Sequence, residues 1–295
     1  MYELIQVGEN TYYVDCPAKV GLYHMGDGKV ALIDSGSDKD GAKKVLKHLT
    51  AQGWELAMIL STHFHADHIG GNRFLQERTG CPIYASGLDR VFMENTILEP
   101  ISLWAGCPPK ALRNKFLMAQ ESSVQELTEE VLPQGLSMIR LDGHSPAMTG
   151  IRTDDGVWFL ADALTGREIL EKYHISFLYD IEEYLKTLDR VETLEGRLFI
   201  PAHAAPCEDI RPLVAANREK CLELMGLVKV LCAEPITVEE LLKRVFDHYG
   251  LTLDLAQYVL SGSTLRSYLS YLLDQGELSC ISRENRILWN VAPVT

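Results

Sequence analysis

Thr62-His63-Phe64-His65-Ala66-Asp67-His68-Ile69-Gly70-Gly71 sets four potential metal ligands within six consecutive residues. Before it runs Leu56-Ala57-Met58-Ile59-Leu60-Ser61, an apolar stretch of strand length; after it, Gly70-Gly71-Asn72 opens a helix-like pattern through Gln76. The ligands therefore sit on a strand-to-helix loop. In extended backbone His63 and His65, two residues apart, point to the same side and can grip one ion. Neutral imidazole and carboxylate suit a borderline cation such as Zn²⁺. Asp67 and His68 lie past the bend, badly placed to complete a tetrahedron round that ion, and read as the start of a second metal site. Catalytic zinc usually keeps three protein ligands and one open position, so two ions require ligands from elsewhere.

Three later strands supply them. Leu136 to Leu141 ends in Asp142-Gly143-His144-Ser145-Pro146, Val157-Trp158-Phe159-Leu160 in Ala161-Asp162, and Leu198-Phe199-Ile200 in Pro201-Ala202-His203. The count then closes: His63, His65 and His144 for one ion, Asp67, His68 and His203 for the other, and Asp162 to bridge. Upstream, Tyr2 to Val7, Asn10 to Asp15, Val20 to His24 and Lys29 to Asp34 predict four short strands in a meander, with turn signals at Gly8-Glu9 and Gly26-Asp27-Gly28. Asp34 closes a nearly all-apolar strand, where α/β proteins place functional groups, and equally where a helix N-cap or turn residue belongs. Lys39 to Gln52 predicts a helix with Val45, Leu46 and Leu49 as its apolar stripe, and Pro82 to Ala85 a short strand.

The whole-chain numbers bound the class. With 295 residues and 46% hydrophobic content, the chain can bury a full core, and its length is a soft prior for two domains. No apolar run approaches the roughly 20 residues a membrane helix needs, and Met1-Tyr2-Glu3-Leu4-Ile5 lacks the basic start of an export signal. Seven cysteines, scattered and never spaced as Cys-x-x-Cys, indicate free thiols in a reducing compartment, so cytoplasm is expected. A formal charge of −13 disfavours a sequence-independent grip on nucleic-acid phosphates.

Residues 88–132 differ in kind. Phe92, Met93, Ile97, Leu98, Ile101, Leu103, Trp104, Leu112, Phe116, Leu117 and Met118 load a stretch broken by Pro100 and Cys107-Pro108-Pro109. Broken helices are expected, serving as core, or as a lid, substrate wall or homodimer contact beside the metals; Trp104, Phe92 and Met118 are the candidate substrate contacts. Beyond 206, Asp209 to Lys229, Thr237 to Tyr249, Leu253 to Leu260 and Thr264 to Gln275 predict helices, and Glu277 to Ile281 with Arg286 to Trp289 a hairpin. Helices followed by a hairpin read as a small winged-helix-like domain, giving ranges of 1–206 for the catalytic domain and 207–295 for the tail.

The Asp34 strand end, the His63 to His68 loop, His144 in Gly-His-Ser-Pro, Asp162 and His203 stand in the order and at the spacing of the metallo-β-lactamase superfamily, which residues 1–206 resemble. The resemblance implies an α/β fold, a four-layer αββα sandwich with two metals at one edge between the sheets. It also implies the seven ligands assigned above and Asp34 as a support behind them. The winged-helix-like tail resembles one branch of that superfamily, whose members include hydrolases and ribonucleases. Ala147, Ala161 and Ala202 stand where the family usually has Gly; Ala tolerates fewer backbone conformations, so loop and pocket shape should differ while no ligand is touched.

The expected chemistry is hydrolysis of a small carbonyl compound, a thioester, lactone or ester. Two Zn²⁺ ions (or iron or manganese) about 3.5 to 4 Å apart would hold a bridging hydroxide as nucleophile, with Asp67 orienting it and Asp162 joining the ions. A ribonuclease of the same branch is the alternative. Against it, Thr264 to Asp274, the segment at the recognition-helix position, has one arginine and one aspartate, and residues 207–295 carry nine Lys and Arg against twelve Asp and Glu, a net of 9 − 12 = −3. An iron-dependent dioxygenase is a third reading, since the scaffold also hosts persulfide dioxygenases and di-iron flavoproteins; the latter usually have Glu where this loop has His65. A non-catalytic binding protein is weakened by the full ligand set.

Overall fold

The computed structural model describes residues 2–292; Met1 and residues 293–295, which fall within the two ranges above, lie outside them. The chain opens on the expected meander, β1 (Glu3–Gln6), β2 (Thr11–Asp15), β3 (Val20–Gly26) and β4 (Lys29–Ile33), antiparallel in sequence order. The β3–β4 turn needs left-handed backbone at Gly26, Asp27 and Gly28, which explains its composition. Helix α1 (Lys39–Gln52) starts where Asp38 accepts from the N–H groups of Asp40 and Gly41 and stops at left-handed Gly53. It returns the chain to β5 (Glu55–Leu60), parallel to β4.

Two short helices, α2 (Ala66–Ile69) and α3 (Asn72–Thr79), lead to β6 (Ile83–Ala85). Then come α4 (Gly87–Glu94), α5 (Leu98–Trp104) and β7 (Gln125–Glu126), which closes a seven-stranded first sheet in the order β1 to β7. The second sheet has four strands: β8 (Leu136–Arg140), β9 (Thr149–Thr153), β10 (Val157–Thr165) and, after α6 (Arg167–Tyr173) and α7 (Ile181–Glu192), β11 (Leu198–His203), parallel to β10. Neither β9 nor α6 and α7 is foreseen from the sequence. Thr149-Gly150-Ile151-Arg152-Thr153 carries little apolar signal and is a strand because β8 and β10 pair with it on both sides.

Three apolar clusters stack as the layers require. Ala42, Val45 and Leu49 of α1 and Leu75 of α3 pack on Leu22, Leu32 and Ile59 of the first sheet. Tyr13 and Ile33 of the first sheet meet Ile151, Phe159 and Ile200 of the second. Trp158, Leu160 and Leu164 on the far side of β10 meet α7 and three further helices, α8 (Arg211–Leu231), α9 (Val238–Tyr249) and α10 (Leu255–Asp274). The result is helices, sheet, sheet, helices. Residues on both sides of position 206 share that third cluster.

The hairpin β12 (Leu278–Arg283) and β13 (Arg286–Val291) forms where expected. The two segments expected at Leu253 to Leu260 and Thr264 to Gln275 are instead one continuous α10. Ser261 and Gly262, which separate them on paper, are buried, and burial of that face of α10 outweighs their weak helix propensity. Within residues 88–132, Leu112 and Leu117 pack on Val259 of α10. No helix among the described residues is long and apolar enough to cross a membrane.

Candidate metal centre

The ligand loop works because the backbone changes direction at His65, which is extended (φ −62°, ψ 143°) just before α2 begins. His63 and His65 stay on one side, while the first turn of α2 carries Asp67 and His68 to the other. Gly70-Gly71 lets the Asp34 loop lie against this turn: a Cβ at Gly70 would sit 2.2 Å from the Ser37 carbonyl oxygen, and one at Gly71 2.5 Å from that of Ser35. In return, the Ser35 N–H donates to the His68 carbonyl at 2.8 Å.

All seven expected ligands converge. His65 Nδ1 lies 3.1 Å from His63 Nε2 and 2.9 Å from His144 Nε2. On the other side His203 Nε2 is 3.0 Å from Asp67 Oδ2, and His68 Nε2 is 3.8 Å from the same oxygen. Asp162 stands between: its Oδ1 is 3.0 Å from His68 Nε2, and its Oδ2 is 3.4 Å from both His144 Nε2 and His203 Nε2. Candidate ligand atoms of His63, His65 and His144 fall within 4.8 Å of one another, as do those of Asp67, His68 and His203 and those of His63, His68 and Asp162.

The surrounding hydrogen bonds aim the rings. Asp34 accepts from the Thr62 N–H (2.7 Å), the Thr62 hydroxyl (2.8 Å) and His68 Nδ1 (2.7 Å). A carboxylate only accepts, so His68 Nδ1 carries a proton there and Nε2 is turned to the centre. Thr62 spends its own proton on Asp34 and accepts from His63 Nδ1 at 3.1 Å, while His144 Nδ1 donates to the Phe177 carbonyl at 3.0 Å. In each ring the outward nitrogen is held by a partner and the inward one is left for a cation, the usual arrangement behind metal-binding histidines. Asp34 accepts its three bonds from a left-handed φ of 63°. Thr62 and Phe177 were not foreseen; Thr62 could have been, since it adjoins the first ligand.

Electrostatics keeps three of the rings neutral and charges His68. Burial first, then the neighbouring His68 and His65, hold His63 neutral well below the ordinary histidine range; burial and His144 bring His65 down to about 3. Burial likewise lowers His144. Burial would also lower His68, but Asp162, Asp67 and Asp34 together push it well above that range. Burial would raise Asp67 and Asp162; the facing imidazoles win and keep both ionised, Asp67 at about 2. His68 Nε2 and Asp162 Oδ1 are buried, 3.0 Å apart and without a hydrogen-bond partner. Converging imidazole nitrogens, ionised carboxylates and two orphaned buried atoms fit divalent cations.

Residues 88–132 supply core, one of the roles expected of them, through the buried Met93, Leu112 and Leu117. Phe92 spends its ring on Phe64 (centroids 4.3 Å apart), Met118 is half-buried, and Trp104 is 38% exposed at the end of α5. None of the three lines the cavity beside the metal ligands, which is walled by residues 165–178 and α10. Asp89 of α4 instead accepts from the Ser145 hydroxyl at 2.5 Å and the Ala147 N–H at 3.2 Å, fixing the loop that carries His144. Burial raises the Asp89 carboxyl from 3.8 to about 7, the bond from Ser145 offsetting part of the rise. The folded state then binds more protons than the unfolded one across that window, so stability falls as pH rises through it. Asp89→Asn should flatten the dependence of melting temperature on pH between pH 5 and 8, read by calorimetry; an unchanged slope would assign the dependence to another group. Ala161 adopts a left-handed φ of 48° just before Asp162, a conformation that glycine takes more readily than alanine.

A segment of 69 residues is 41% identical to a hydroxyacylglutathione hydrolase of Methylococcus capsulatus, covering 23% of this chain and 25% of that protein. A hydroxyacylglutathione hydrolase of Erythrobacter litoralis is 40% identical over 77 residues, covering 24% of this chain and 29% of that protein. The chain thus spans only about a quarter of the length of these curated relatives. Over the whole fold, a beta-lactamase domain protein from Burkholderia ambifaria superposes with a TM-score of 0.77 at 20% identity, covering 98% of this chain and 94% of that one. A metallo-beta-lactamase family protein from Thermus thermophilus gives 0.74 at 18%, covering 98% and 97%. The model of the metallo-beta-lactamase superfamily matches residues 13–203, from the second strand to the last metal-facing histidine, and to that superfamily this chain belongs.

Proposed function

We propose that the protein is a dinuclear zinc hydrolase that cleaves a small carbonyl compound, foremost an acyl thioester. The observation that carries this reading is the meeting of the seven-residue cluster with a cavity of about 290 Å³ whose wall presents mostly apolar surface, from Ile169, Phe177, Leu178 and Leu260 among others, and which is bordered by His144, Asp162 and His203. Such a wall suits an acyl group. The named activity of the partial relatives, hydroxyacylglutathione hydrolysis, supports a thioester among the carbonyl classes.

In this proposal His63, His65 and His144 hold one cation, Asp67, His68 and His203 the other, and Asp162 both. Cations held there supply Lewis acidity toward an acyl oxygen and make water acidic enough to attack near neutral pH. Asp67, whose side chain is 42% exposed and ionised, faces the open side of the cluster and orients the attacking water. Phe177 covers His65 and His144, with ring centroids 5.2 and 5.8 Å away, and limits solvent at the cleft.

We also read residues 207–295 as winged-helix-like, on the order of α8, a short bridge of Ile236 to Trp289, α9, α10 and the hairpin. A nucleic-acid role gains no support from it. Val259, Thr264, Leu265 and Tyr268 of α10 are buried, its residues wall the acyl cavity, and its one cation, Arg266, lies 4.0 Å from Glu239. The tail is better explained as part of the substrate site. Assaying zinc-loaded protein on acyl thioesters, lactones and labelled single-stranded RNA, with His65→Ala as control, tests the reading. Thioester turnover lost in the control is expected; RNA cleavage lost in the control, with no carbonyl substrate turned over, would replace it.

A further inference from the structure

One wall of the acyl cavity has no regular structure. Between α6, which ends at Tyr173, and α7, which begins at Ile181, the chain runs as a strip whose Ile175, Ser176, Phe177 and Leu178 line the cavity together with Tyr173. The strip is fastened well at its metal end. There the Phe177 carbonyl accepts from His144 Nδ1 at 3.0 Å, the Leu178 N–H donates to the Thr264 hydroxyl at 3.3 Å, and the N–H groups of Tyr179 and Asp180 donate to the Gly143 carbonyl at 2.8 and 2.9 Å. Upstream of Phe177 it is held by less. Among the described residues, His174 makes the one hydrogen bond that ties 174–176 to an element other than α6.

His174 also has an unusual backbone. Its φ of 58° is left-handed, a conformation that costs any residue with a Cβ, so other contacts must hold it there. Those contacts come from the tail. The His174 ring stacks on that of Tyr249, the last residue of α9, with centroids 4.3 Å apart and planes 12° from parallel. Its Nδ1 lies 3.3 Å from the Lys220 ammonium of α8; an ammonium only donates, so Nδ1 accepts and the ring is neutral. Burial, then the Lys220 charge, keep it below the ordinary histidine range. Lys220 in turn pairs with Glu223 at 2.6 Å, and Glu223 accepts from the Tyr249 hydroxyl at 2.8 Å, which closes the circuit. Two helices of the tail thus grip one side chain of the strip.

We infer that His174 and Tyr249 are positioning residues for the acyl group: their stack docks the upstream half of the strip on the tail and so holds Tyr173 and Ile175 in the cavity wall. Neither His174 nor Tyr249 lines that cavity itself. The inference rests on the hydrolase reading and gives α8 and α9 a part in it. Because Phe177 and Leu178 are fastened separately, loss of the stack should loosen Tyr173 and Ile175 and leave the metal centre as it is. A hexanoyl chain lies along that wall, whereas an acetyl group held at the metals has too few atoms to use it.

The test uses the full-length, zinc-loaded protein with acetyl and hexanoyl thioesters of N-acetylcysteamine. Tyr249→Ala should raise KM for the hexanoyl thioester by about two- to tenfold, the scale of one aromatic pair, with kcat, zinc content and the acetyl thioester's KM unchanged. Tyr249→Phe, which keeps the stack and drops the bond to Glu223, should stay near the unaltered protein. His174→Gly, which relieves the backbone but removes the ring, should behave like Tyr249→Ala. Amide hydrogen exchange reads the same docking without substrate: at His174 and Ile175 it should quicken by about two- to tenfold in Tyr249→Ala, and at Leu178 it should hold. A KM that rises equally for both thioesters, a Tyr249→Phe protein as impaired as Tyr249→Ala, or unchanged exchange would overturn the inference while leaving thioester hydrolysis standing. If the unaltered protein turns over no thioester, the hydrolase reading alone falls. Exchange and calorimetric binding of the uncleavable hexanoyl thioether then decide the inference: weaker binding in Tyr249→Ala supports it and equal binding overturns it.

Discussion

Asp162→Ala should bring bound zinc below two equivalents and lower turnover by about 10³-fold or more, roughly 4 kcal/mol of barrier. The two Asp162 oxygens reach His68, His144 and His203 at 3.0, 3.4 and 3.4 Å, so the residue touches both halves of the cluster. Its removal takes a negative charge from between the two groups of donors, leaving five imidazoles and Asp67 to share the cations. Circular dichroism should show the fold retained, since Asp162 closes no part of the three apolar clusters. Zinc content by elemental analysis and turnover of an acyl thioester are the readouts. Two tightly held equivalents and unchanged turnover would remove Asp162 from the centre.

Asp34→Asn should weaken metal affinity or activity by about 10- to 100-fold although none of the seven ligands is altered. Asn tolerates the left-handed backbone of this position, φ 63°, so the test bears on the carboxylate rather than the turn. A carboxylate here accepts three bonds, from the Thr62 N–H, the Thr62 hydroxyl and His68 Nδ1. An amide presents one acceptor and turns an NH₂ group toward a donor, leaving at least one buried group unpaired at about 1–3 kcal/mol. Freed from its anchor, His68 can rotate or switch tautomer. Zinc titration against a chelator of known affinity measures the change, and wild-type affinity in the variant would show that His68 needs no such support.

Much of this centre can be read from the chain because its ligands follow from local geometry. His63 and His65 alternate in extended backbone, Asp67 and His68 follow a helix start, His144 follows β8 and His203 ends β11; Asp162, expected at a strand end, instead lies within β10, where the pairing with β11 shifts register. What cannot be read is what meets through space. Leu260 and Thr264 look like ordinary positions of a C-terminal helix, and only the packing of α10 beside residues 165–178 makes them walls of the acyl cavity. Asp89 looks like a surface acid in the first turn of α4, yet it is buried against the His144 loop. Trp104, Phe92 and Met118 attract notice by size, a property that signals burial somewhere and does not say where; Phe92 is used on Phe64. The break expected before Thr264 fails for a related reason, because Ser261 and Gly262 lie on a buried face of α10 rather than at the end of a helix.

Titrating metal-free protein with zinc while following hydrolysis of an acyl thioester tests the central claim most directly. Activity should be absent without metal, rise with added zinc and level off at two equivalents per chain, and His144→Ala should stay inactive at every point. Activity that is complete with a single equivalent of iron and consumes oxygen on a persulfide, or thioester turnover that survives removal of all metal, would contradict it.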